Sequence, residues 1–451
     1  MSKTKKNILL AGILLLSSTS MASTFVDGVV LPPRVMAMDA MDLYPLILAA
    51  GLLGMTLVLP LMGRLRQIFG VKTVTIFGLL FQLLTRTILI FTHDPTLFIV
   101  MYTLTAVGIS IYIAMPFVMI AEVVEQEERP KYYGMLITFQ AAGGFISPLI
   151  AGALMEMGFR GLGFIGYLPF FLLSAPIIFF LYPKSEPSQT TGVKFDFAGI
   201  LLLVATLTCI IFYLSLGGLF FGLLSPAGIA LLIAGLICLF FLVRVESKHP
   251  NPSVPIFMFK KKRFRTAFLS AITVTAFANT MSAYVIVFAQ QVMQESYAIS
   301  STINLPINFA RAVFGIISGR ILAKNFYGRF RPMALISLLL VFFATLLLNT
   351  LHADSSMLVI YAAGILGGVG SVVPQSNYVA FFQTELVPEE FTMAQGMFTF
   401  AGPGGASIYV ALSGTVLNLG GNLNHTFVLA SIFCGVSLLI GIFGLRLPKE
   451  V

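Results

Sequence analysis

Three ionisable side chains interrupt long apolar stretches of the sequence: Asp27, Arg86 and Arg311. An Asp or Arg at the centre of a bilayer-spanning helix costs about 2.5–3.5 kcal/mol on insertion scales, so its presence points to a function. Burial favours the neutral form of a carboxyl group and a nearby Arg favours the ionised form, so Asp27 is suited to exchanging a proton. We expect a titratable site there. The alternative places Asp27 in a hydrated position near the membrane surface.

The two arginines have different interpretations. Arg86 is either the counter-charge of Asp27, reaching it from another helix, or a side chain that snorkels to the nearby surface. Arg311 lies mid-segment, where we expect a buried anionic partner or an anionic substrate. Uncharged polar residues in neighbouring segments suit ligand contact or helix–helix hydrogen bonds. They are Asn279, Gln290, Gln375 and Asn377.

The elements that hold these residues are predicted to be membrane helices. Of 451 residues, 58% are hydrophobic and 10% are charged, whereas soluble domains carry about 25% charged residues. A chain in lipid must satisfy its backbone hydrogen bonds internally, which favours helices. A window of about 19 residues predicts fourteen segments. They are approximately 7–32, 43–62, 73–92, 96–120, 132–155, 163–182, 197–217, 225–244, 266–291, 302–322, 333–351, 356–380, 391–417 and 426–446. A count of twelve, without 197–217 and 225–244, is the less favoured alternative.

The net charge of +9 is distributed asymmetrically along the chain. Most Lys and Arg residues fall in loops on one predicted side, as the positive-inside rule requires, which places both termini in the cytoplasm. The basic clusters at 3–6 and 260–265 are interpreted as topology signals and contacts to anionic lipids, rather than as a nucleic-acid site. We expect a multi-pass protein of a bacterial inner membrane.

The first predicted segment is similar to a cleavable signal peptide. Lys3, Lys5 and Lys6 are basic, residues 8–16 are apolar, and Ser20-Met21-Ala22 follows like a cleavage site. The apolar stretch nevertheless continues to Leu31-Pro32, which is long enough to span a bilayer. We therefore expect it to be the first membrane helix.

A weak internal repeat relates the two ends of the chain at an offset of about 260 residues. Six segments repeat as six, and two parallel halves of this kind are typical of alternating-access carriers. We expect a six-helix half over 1–190, two additional helices over 191–250, and a second six-helix half over 251–451. The matching pairs are Gly134 with Gly396, Pro116 with Pro374, and Gly63-Arg64 with Gly319-Arg320.

Glycine and proline residues follow fixed spacings in three places of the first half. Small residues let two helices approach closely, and proline bends a helix, so these positions are candidates for gating and helix contacts. They are Gly63, Arg64, Gly70 and Lys72 in the loop 63–72, Gly108 and Pro116 in segment 4, and Gly134, Gly143, Pro148 and Gly152 in segment 5.

These spacings resemble the major facilitator superfamily, and within it the fourteen-segment drug:proton antiporter family, over nearly the whole chain. The family motifs read G-x-L-a-D-r-x-G-r-k after segment 2, R-x-x-Q-G-x-G in segment 4 and G-x8-G-x3-G-P-x2-G-G in segment 5. The chain departs from them at Gln67, in place of the acid, and at Leu104, in place of the arginine linked to proton coupling. The aspartate of the family's first segment corresponds to Ser23, with Asp27 one turn later.

The resemblance implies an all-α membrane protein with the major facilitator fold, two six-helix halves plus two intervening helices. It also implies a secondary active transporter that moves a small amphipathic molecule by alternating access, as a proton-coupled multidrug or metabolite exporter. The departures leave open an uptake carrier, a uniporter or a lipid flippase of the same fold. A channel or membrane receptor is the second alternative.

Other function classes lack their motifs in this sequence. A phosphate-binding G-x-x-x-x-G-K-[ST] loop is missing, which argues against an ATP-driven pump. The three cysteines and four histidines lack metal-ligand spacing. We expect no enzyme activity and no cofactor. The expected partners are a small-molecule substrate, a coupling proton and membrane lipids, bound to a monomer.

Overall fold

The computed structural model consists almost entirely of helices. It describes residues 3–125, 129–158, 160–183, 196–217, 220–249, 252, 254–387 and 390–446. The α-helices are α1 (Lys3–Met36), α2 (Tyr44–Phe69), α3 (Val71–Phe91), α4 (Pro95–Ile113), α5 (Met115–Val123), α6 (Arg129–Glu156), α7 (Leu168–Leu181), α8 (Phe197–Leu216), α9 (Pro226–Glu246), α10 (Lys262–Asn279), α11 (Val285–Gln291), α12 (Tyr297–Ser301), α13 (Leu305–Lys324), α14 (Phe326–Leu348), α15 (Met357–Val372), α16 (Tyr378–Gln383), α17 (Phe391–Asn418) and α18 (Leu423–Gly444).

Short helices of other types complete the chain. The 3-10 helices are Met41–Leu43, Arg160–Tyr167 and Ile256–Lys260, and two π-helical turns cover Thr280–Tyr284 and Val373–Asn377.

The helices confirm the predicted membrane fold. Within the described residues, 13 helices are long and apolar enough to cross a membrane, among them Ala198–Leu216 and Pro226–Glu246. The remaining predicted segment corresponds to α2, a helix of 26 residues. Its described start forms, with the preceding 3-10 helix, the shorter apolar helix Met41–Thr56. Each of the fourteen predicted segments therefore has its helix, and the chain is a multi-pass membrane protein.

The first of two compact units comprises Met1–Phe195 and Glu295–Thr302. Within it α1 packs against α6, α7 and the 3-10 helix Arg160–Tyr167, and both α2 and α3 pack against α4. Small hydroxyl residues permit this central position of α1, because Ser17 donates to the Leu136 carbonyl and Ser18 to the Phe139 carbonyl. These two hydroxyl groups of α1 are thus satisfied by α6.

The second unit comprises Asp196–Gln294 and Ile303–Val451. Within it α10 packs against α17 and α18, α14 packs against α15 and α18, and α13 packs against α15. The two additional helices also belong to this unit, since α8 packs against α17. Asn418 donates to the Ser215 carbonyl over 3.1 Å at this contact.

Each unit contains a close helix–helix contact at a glycine. A Cβ at Gly143 of α6 would overlap the backbone of Ser18 in α1, and a Cβ at Gly405 of α17 would overlap the backbone of Ile272 in α10. The fifth and first membrane helices of each half therefore approach each other through a glycine, which agrees with the predicted repeat.

The loop predicted at 63–72 is shorter than expected. The helix α2 continues to Phe69, so the connection to α3 is Gly70 alone, at φ 78. A helix satisfies its own backbone hydrogen bonds, so it can extend beyond the apolar core into the basic residues. Glycine adopts this left-handed φ without steric cost, which explains its place at the turn.

The fourteen-helix count predicts the side of the short connection between α8 and α9. Cysteine at Gly222, an exposed position there, should react with an impermeant maleimide only from outside the cell, and cysteine at Lys248 only from inside. Both variants are made in a background lacking Cys209, Cys238 and Cys434. Labelling of both positions from the same side would mean that α8 and α9 do not span the membrane.

Candidate functional site

Asp27 and Arg86 form a buried ion pair within the first unit. Arg86 Nη2 lies 2.7 Å from Asp27 Oδ1 and joins α3 to α1. Asp27 is 7% exposed and Arg86 is 1% exposed. The Arg86 side chain therefore does not snorkel to a membrane surface, and the Asp27 carboxylate is enclosed by protein rather than hydrated.

Two further hydrogen bonds hold the terminal nitrogens of Arg86, while its Nε is buried without a partner in the described part of the chain. Arg86 donates from Nη2 to the Ser23 carbonyl over 3.1 Å and from Nη1 to the Phe164 carbonyl over 3.2 Å. Buried charges need such partners, because burying an ion without them costs on the order of several kcal/mol.

Aromatic rings enclose the guanidinium. The Cζ atom of Arg86 lies 5.0 Å from the centroid of the Tyr167 ring and 5.7 Å from that of Phe164. Cation–π contacts at such distances contribute about 0.5–2 kcal/mol, more when desolvated. The 3-10 helix Arg160–Tyr167 supplies both rings, so this irregular element serves to hold the charge.

A second polar chain, which sequence reasoning missed, adjoins the pair. Gln82, fully buried on α3, donates to Ser23 Oγ over 2.8 Å, and its own Oε1 accepts from the Tyr112 hydroxyl at 2.6 Å. The sequence does contain one signal for this polar cluster, which is the spacing of its residues. Ser23 precedes Asp27 by four residues and Gln82 precedes Arg86 by four, so each pair shares one helix face. The family's usual acid position, occupied by Ser23, therefore faces the same arginine.

The ion pair can exist in two charge states. With Asp27 ionised the pair is neutral overall, and both terminal nitrogens of Arg86 donate hydrogen bonds, while its Nε is buried without a partner among the described residues. With Asp27 protonated, a permanently charged arginine is left without its counter-ion, and its contacts must rearrange to compensate.

Arg311 lies in the second unit, on α13. Its Nε donates to Ser371 Oγ of α15 over 2.9 Å, and its Nη2 is buried without a hydrogen-bond partner. Among the described residues, no carboxylate lies within 4.0 Å of it. The predicted buried anionic partner is therefore not seen in the described part of the chain.

The uncharged candidates also lie in the second unit, next to the π-helical turns. Asn279 precedes the turn Thr280–Tyr284 and donates from Nδ2 to the Thr275 carbonyl over 2.9 Å. Gln375, which is exposed, and Asn377 belong to the turn Val373–Asn377, while Gln290 lies near the end of α11 and is half-buried. Such turns in membrane helices often accompany functional sites, because they interrupt the regular hydrogen-bond ladder.

Lys72, from the basic motif after α2, is anchored inside the first unit. Its Nζ donates to the Tyr182 carbonyl over 2.7 Å, and the Tyr182 hydroxyl donates to Glu122 over 2.5 Å. Burial, and then the hydrogen bond to Glu122, raises the pKa of the Tyr182 hydroxyl above its ordinary value. The motif thus ties the start of α3 to the end of α7.

The glycine and proline candidates mark close helix contacts. A Cβ at Gly108 of α4 would overlap Gln82 of α3, and a Cβ at Gly152 of α6 would press on Ser301 of α12. Pro116 follows the break between α4 and α5, and its predicted counterpart Pro374 lies in a π-helical turn.

The other candidates of this set lie on α2 and α6. Pro148 is inside α6, next to Ser147, which donates to the Ala22 carbonyl over 3.0 Å. The surroundings of Gly63, Arg64 and Gly134 lie outside the described part of the structure.

A multi-pass helical protein with a buried ion pair between two of its membrane-spanning helices has the architecture of a membrane carrier rather than an enzyme. The chain belongs to the Major Facilitator Superfamily, whose sequence profile matches residues 13–386.

Named relatives and solved structures agree with this family. The multidrug transporter protein MdtP of Bacillus subtilis (strain 168) is 24% identical over 425 residues, 93% of this chain and 77% of the relative. Multidrug resistance protein 3 of the same organism is 24% identical over 364 residues, 79% of this chain and 69% of the relative. The POT family transporter PepTSo superimposes with a TM-score of 0.67 at 13% identity, covering 96% of each chain. The nucleoside transporter NupG gives 0.68 at 13% identity, covering 96% of this chain and 99% of its own. The structural likenesses show the fold alone.

Replacing Asp27 and replacing Arg86 should reduce the stability of the protein by different amounts. Asp27→Leu leaves a charge that cannot be neutralised, so we expect a loss of about 3–5 kcal/mol in unfolding free energy. Arg86→Met should cost less, because the remaining carboxyl group can take up a proton. The double variant should recover most of the loss. Melting temperatures of the detergent-purified proteins measure this, and losses that simply add in the double variant would contradict the coupling.

Proposed function

We propose that this protein is a proton-coupled secondary transporter that exports a small amphipathic molecule, with Asp27 as the proton-binding group. The ion pair of Asp27 with Arg86 carries this proposal. It supplies a carboxyl group that can bind a proton, enclosed at membrane depth, beside an arginine that senses whether the carboxyl group is ionised.

Coupling follows from the charge states of the pair. An ionised Asp27 holds Arg86, the Ser23 carbonyl and the Phe164 carbonyl in one arrangement, which links α1, α3 and the 3-10 helix Arg160–Tyr167. Protonation removes the attraction and releases Arg86 to find other acceptors. Each turnover would then take a proton from one side and return it to the other as the arrangement alternates.

Arg86 supports the proton-coupled alternative over the uniporter. The family's coupling arginine is replaced by Leu104 in the fourth segment, which by itself would favour an uncoupled carrier. In this chain Arg86 of α3 contacts Asp27 of α1 instead, so the acidic residue has an arginine partner from a different helix.

Export of an amphipathic compound is supported by the names of the relatives, which include multidrug transporters. We place the protein in a bacterial inner membrane as a monomer, with both termini in the cytoplasm, organised as six, two and six helices. The glycine contacts of α6 and α17 would serve as the pivots of gating, since bulk at either would separate adjoining helices.

Replacing Asp27 by Asn tests the proposal. The amide resembles the protonated acid but cannot release a proton, so Asp27→Asn should reduce gradient-driven transport in proteoliposomes to the level of empty liposomes. Exchange of labelled for unlabelled substrate should continue, because exchange needs no net proton movement. A panel of amphipathic dyes and drugs supplies the substrate, measured with and without a pH gradient.

Asp39→Asn is the matched control. Asp39 is an exposed acid just after α1, at φ 51, a conformation that Asn also tolerates. Its transport should equal that of the wild type. Wild-type gradient-driven flux in Asp27→Asn would exclude Asp27 as the coupling site and leave a uniporter as the better description.

A further inference from the structure

Two buried hydrogen-bond donors without partners lie on one face of α13. They are Nδ2 of Asn308, a residue 9% exposed, and Nη2 of Arg311. Residues three apart on a helix are neighbours on its surface, and an arginine side chain leans toward the preceding turn. The two groups therefore point a charged and a neutral donor into the same region.

The position of the Arg311 guanidinium is fixed by α15. A Cβ at Gly368 would overlap the Ile307 carbonyl and Ala310, so the glycine brings α15 close to α13. Ser371, buried on α15, donates to the Gly368 carbonyl over 3.0 Å and accepts from Arg311 Nε over 2.9 Å. The Nε edge of the guanidinium is thereby held, while Nη2 is buried without an acceptor in the described part of the chain.

Buried donors without partners are rare in proteins, and one that is permanently charged is the most costly kind. Arg86 of the first unit also has a buried nitrogen without a partner in the described chain, Nε, but its charge is balanced by the Asp27 carboxylate. Arg311 has Ser371 as its only hydrogen-bond partner among the described residues. The missing acceptor therefore points to a ligand that supplies negative charge.

The face of α13 one turn beyond Arg311 is not covered by the described part of the chain. Gly315, one turn beyond Arg311, has no atom within 4 Å of the position that its Cβ would occupy. A ligand with its acidic group at Asn308 and Arg311 could place an apolar body beside Gly315. This arrangement matches an amphipathic molecule, polar at one end only.

We propose that Asn308 and Arg311 form an anion-binding site, which takes the carboxylate, sulfonate or phosphate group of an amphipathic substrate. The site names the substrate class of the transporter proposed above and rests on that proposal. Arginine suits the role because its planar fork donates two hydrogen bonds to one acidic group and stays charged at any physiological pH.

Equilibrium binding of a matched probe set tests the site. The probes are tritiated naphthalene-1-acetate, its neutral amide and the cation 1-naphthylmethylamine, bound to protein in a neutral detergent. Wild-type protein should prefer the acetate over both other probes. Arg311→Met should weaken acetate binding by about tenfold to hundredfold and Asn308→Leu by about tenfold, as expected for lost hydrogen bonds to a charged group. Equal binding of the three probes to the wild type would overturn the proposal.

A stability readout separates this role from a structural one. Removing an uncompensated buried charge should leave the melting temperature of Arg311→Met unchanged or raise it, although acetate binding falls. A lower melting temperature with unchanged acetate affinity would show that Arg311 only holds the fold. Arg320→Met, an exposed position at the end of the same helix, is the control and should bind the acetate as the wild type does.

The space beside Gly315 can be filled without disturbing the fold. Gly315→Leu should weaken acetate binding, whereas Gly319→Leu, which also has no atom within 4 Å of its Cβ position, should not. Equal affinities in the two variants would contradict the position of the apolar body.

A lipid headgroup could supply the same anionic chemistry. Acetate binding is therefore compared in phosphatidylcholine nanodiscs with and without phosphatidylglycerol. Unchanged acetate affinity supports a substrate site, and competitive loss of acetate binding with phosphatidylglycerol would assign the site to lipid and overturn the substrate proposal. Binding is measured without a gradient, so failure of proton coupling at Asp27 does not affect the result.

Discussion

A charge enclosed in the apolar interior of a membrane protein must have a counter-charge or hydrogen-bond partners, and this constraint organises the first unit. Arg86 receives a carboxylate, two backbone carbonyls and two aromatic rings, from α1 and the 3-10 helix Arg160–Tyr167. The close approach that these contacts require depends on small residues, Gly108 against α3 and Gly143 against α1. Helix packing and charge compensation are therefore satisfied by the same contacts.

The two units handle their buried arginines differently. Arg86 is compensated within its own unit, and its partner is a group that protons can neutralise. Arg311 is held at one nitrogen by Ser371 and keeps a buried donor without a partner. The difference between the two arginines is the counter-charge, which Arg86 has within its own unit and Arg311 lacks among the described residues. The proposed ion coupling and the proposed substrate preference therefore rest on two separate helices, α1 and α13.

The sequence predicted the membrane fold well because hydropathy is a local property, so fourteen apolar stretches became helices. It also identified Asp27, Arg86 and Arg311 as unusual. The free-energy cost of placing an ionisable side chain in a bilayer depends on residue type and depth, and both can be read from the sequence. The pairing of Asp27 with Arg86 was one of two interpretations, because it depends on how α1 and α3 are rotated toward each other. The helical continuation of α2 through residues 63–69 was missed, because helices do not end where their apolar residues do. Asn308 was missed because asparagine is ordinary in a helix until its burial and lack of partner are known.

Infrared difference spectroscopy measures the protonation of Asp27 most directly, because a protonated carboxyl group has a C=O stretching band that a carboxylate lacks. Spectra of the purified protein are recorded across the pH range in which a gradient drives transport, for the wild type and for Asp27→Asn. If Asp27 is the proton-binding group, the wild type gains a carboxyl band as the pH falls, and that band is missing from the variant. An identical set of carboxyl bands in both proteins throughout this range would contradict the role of Asp27.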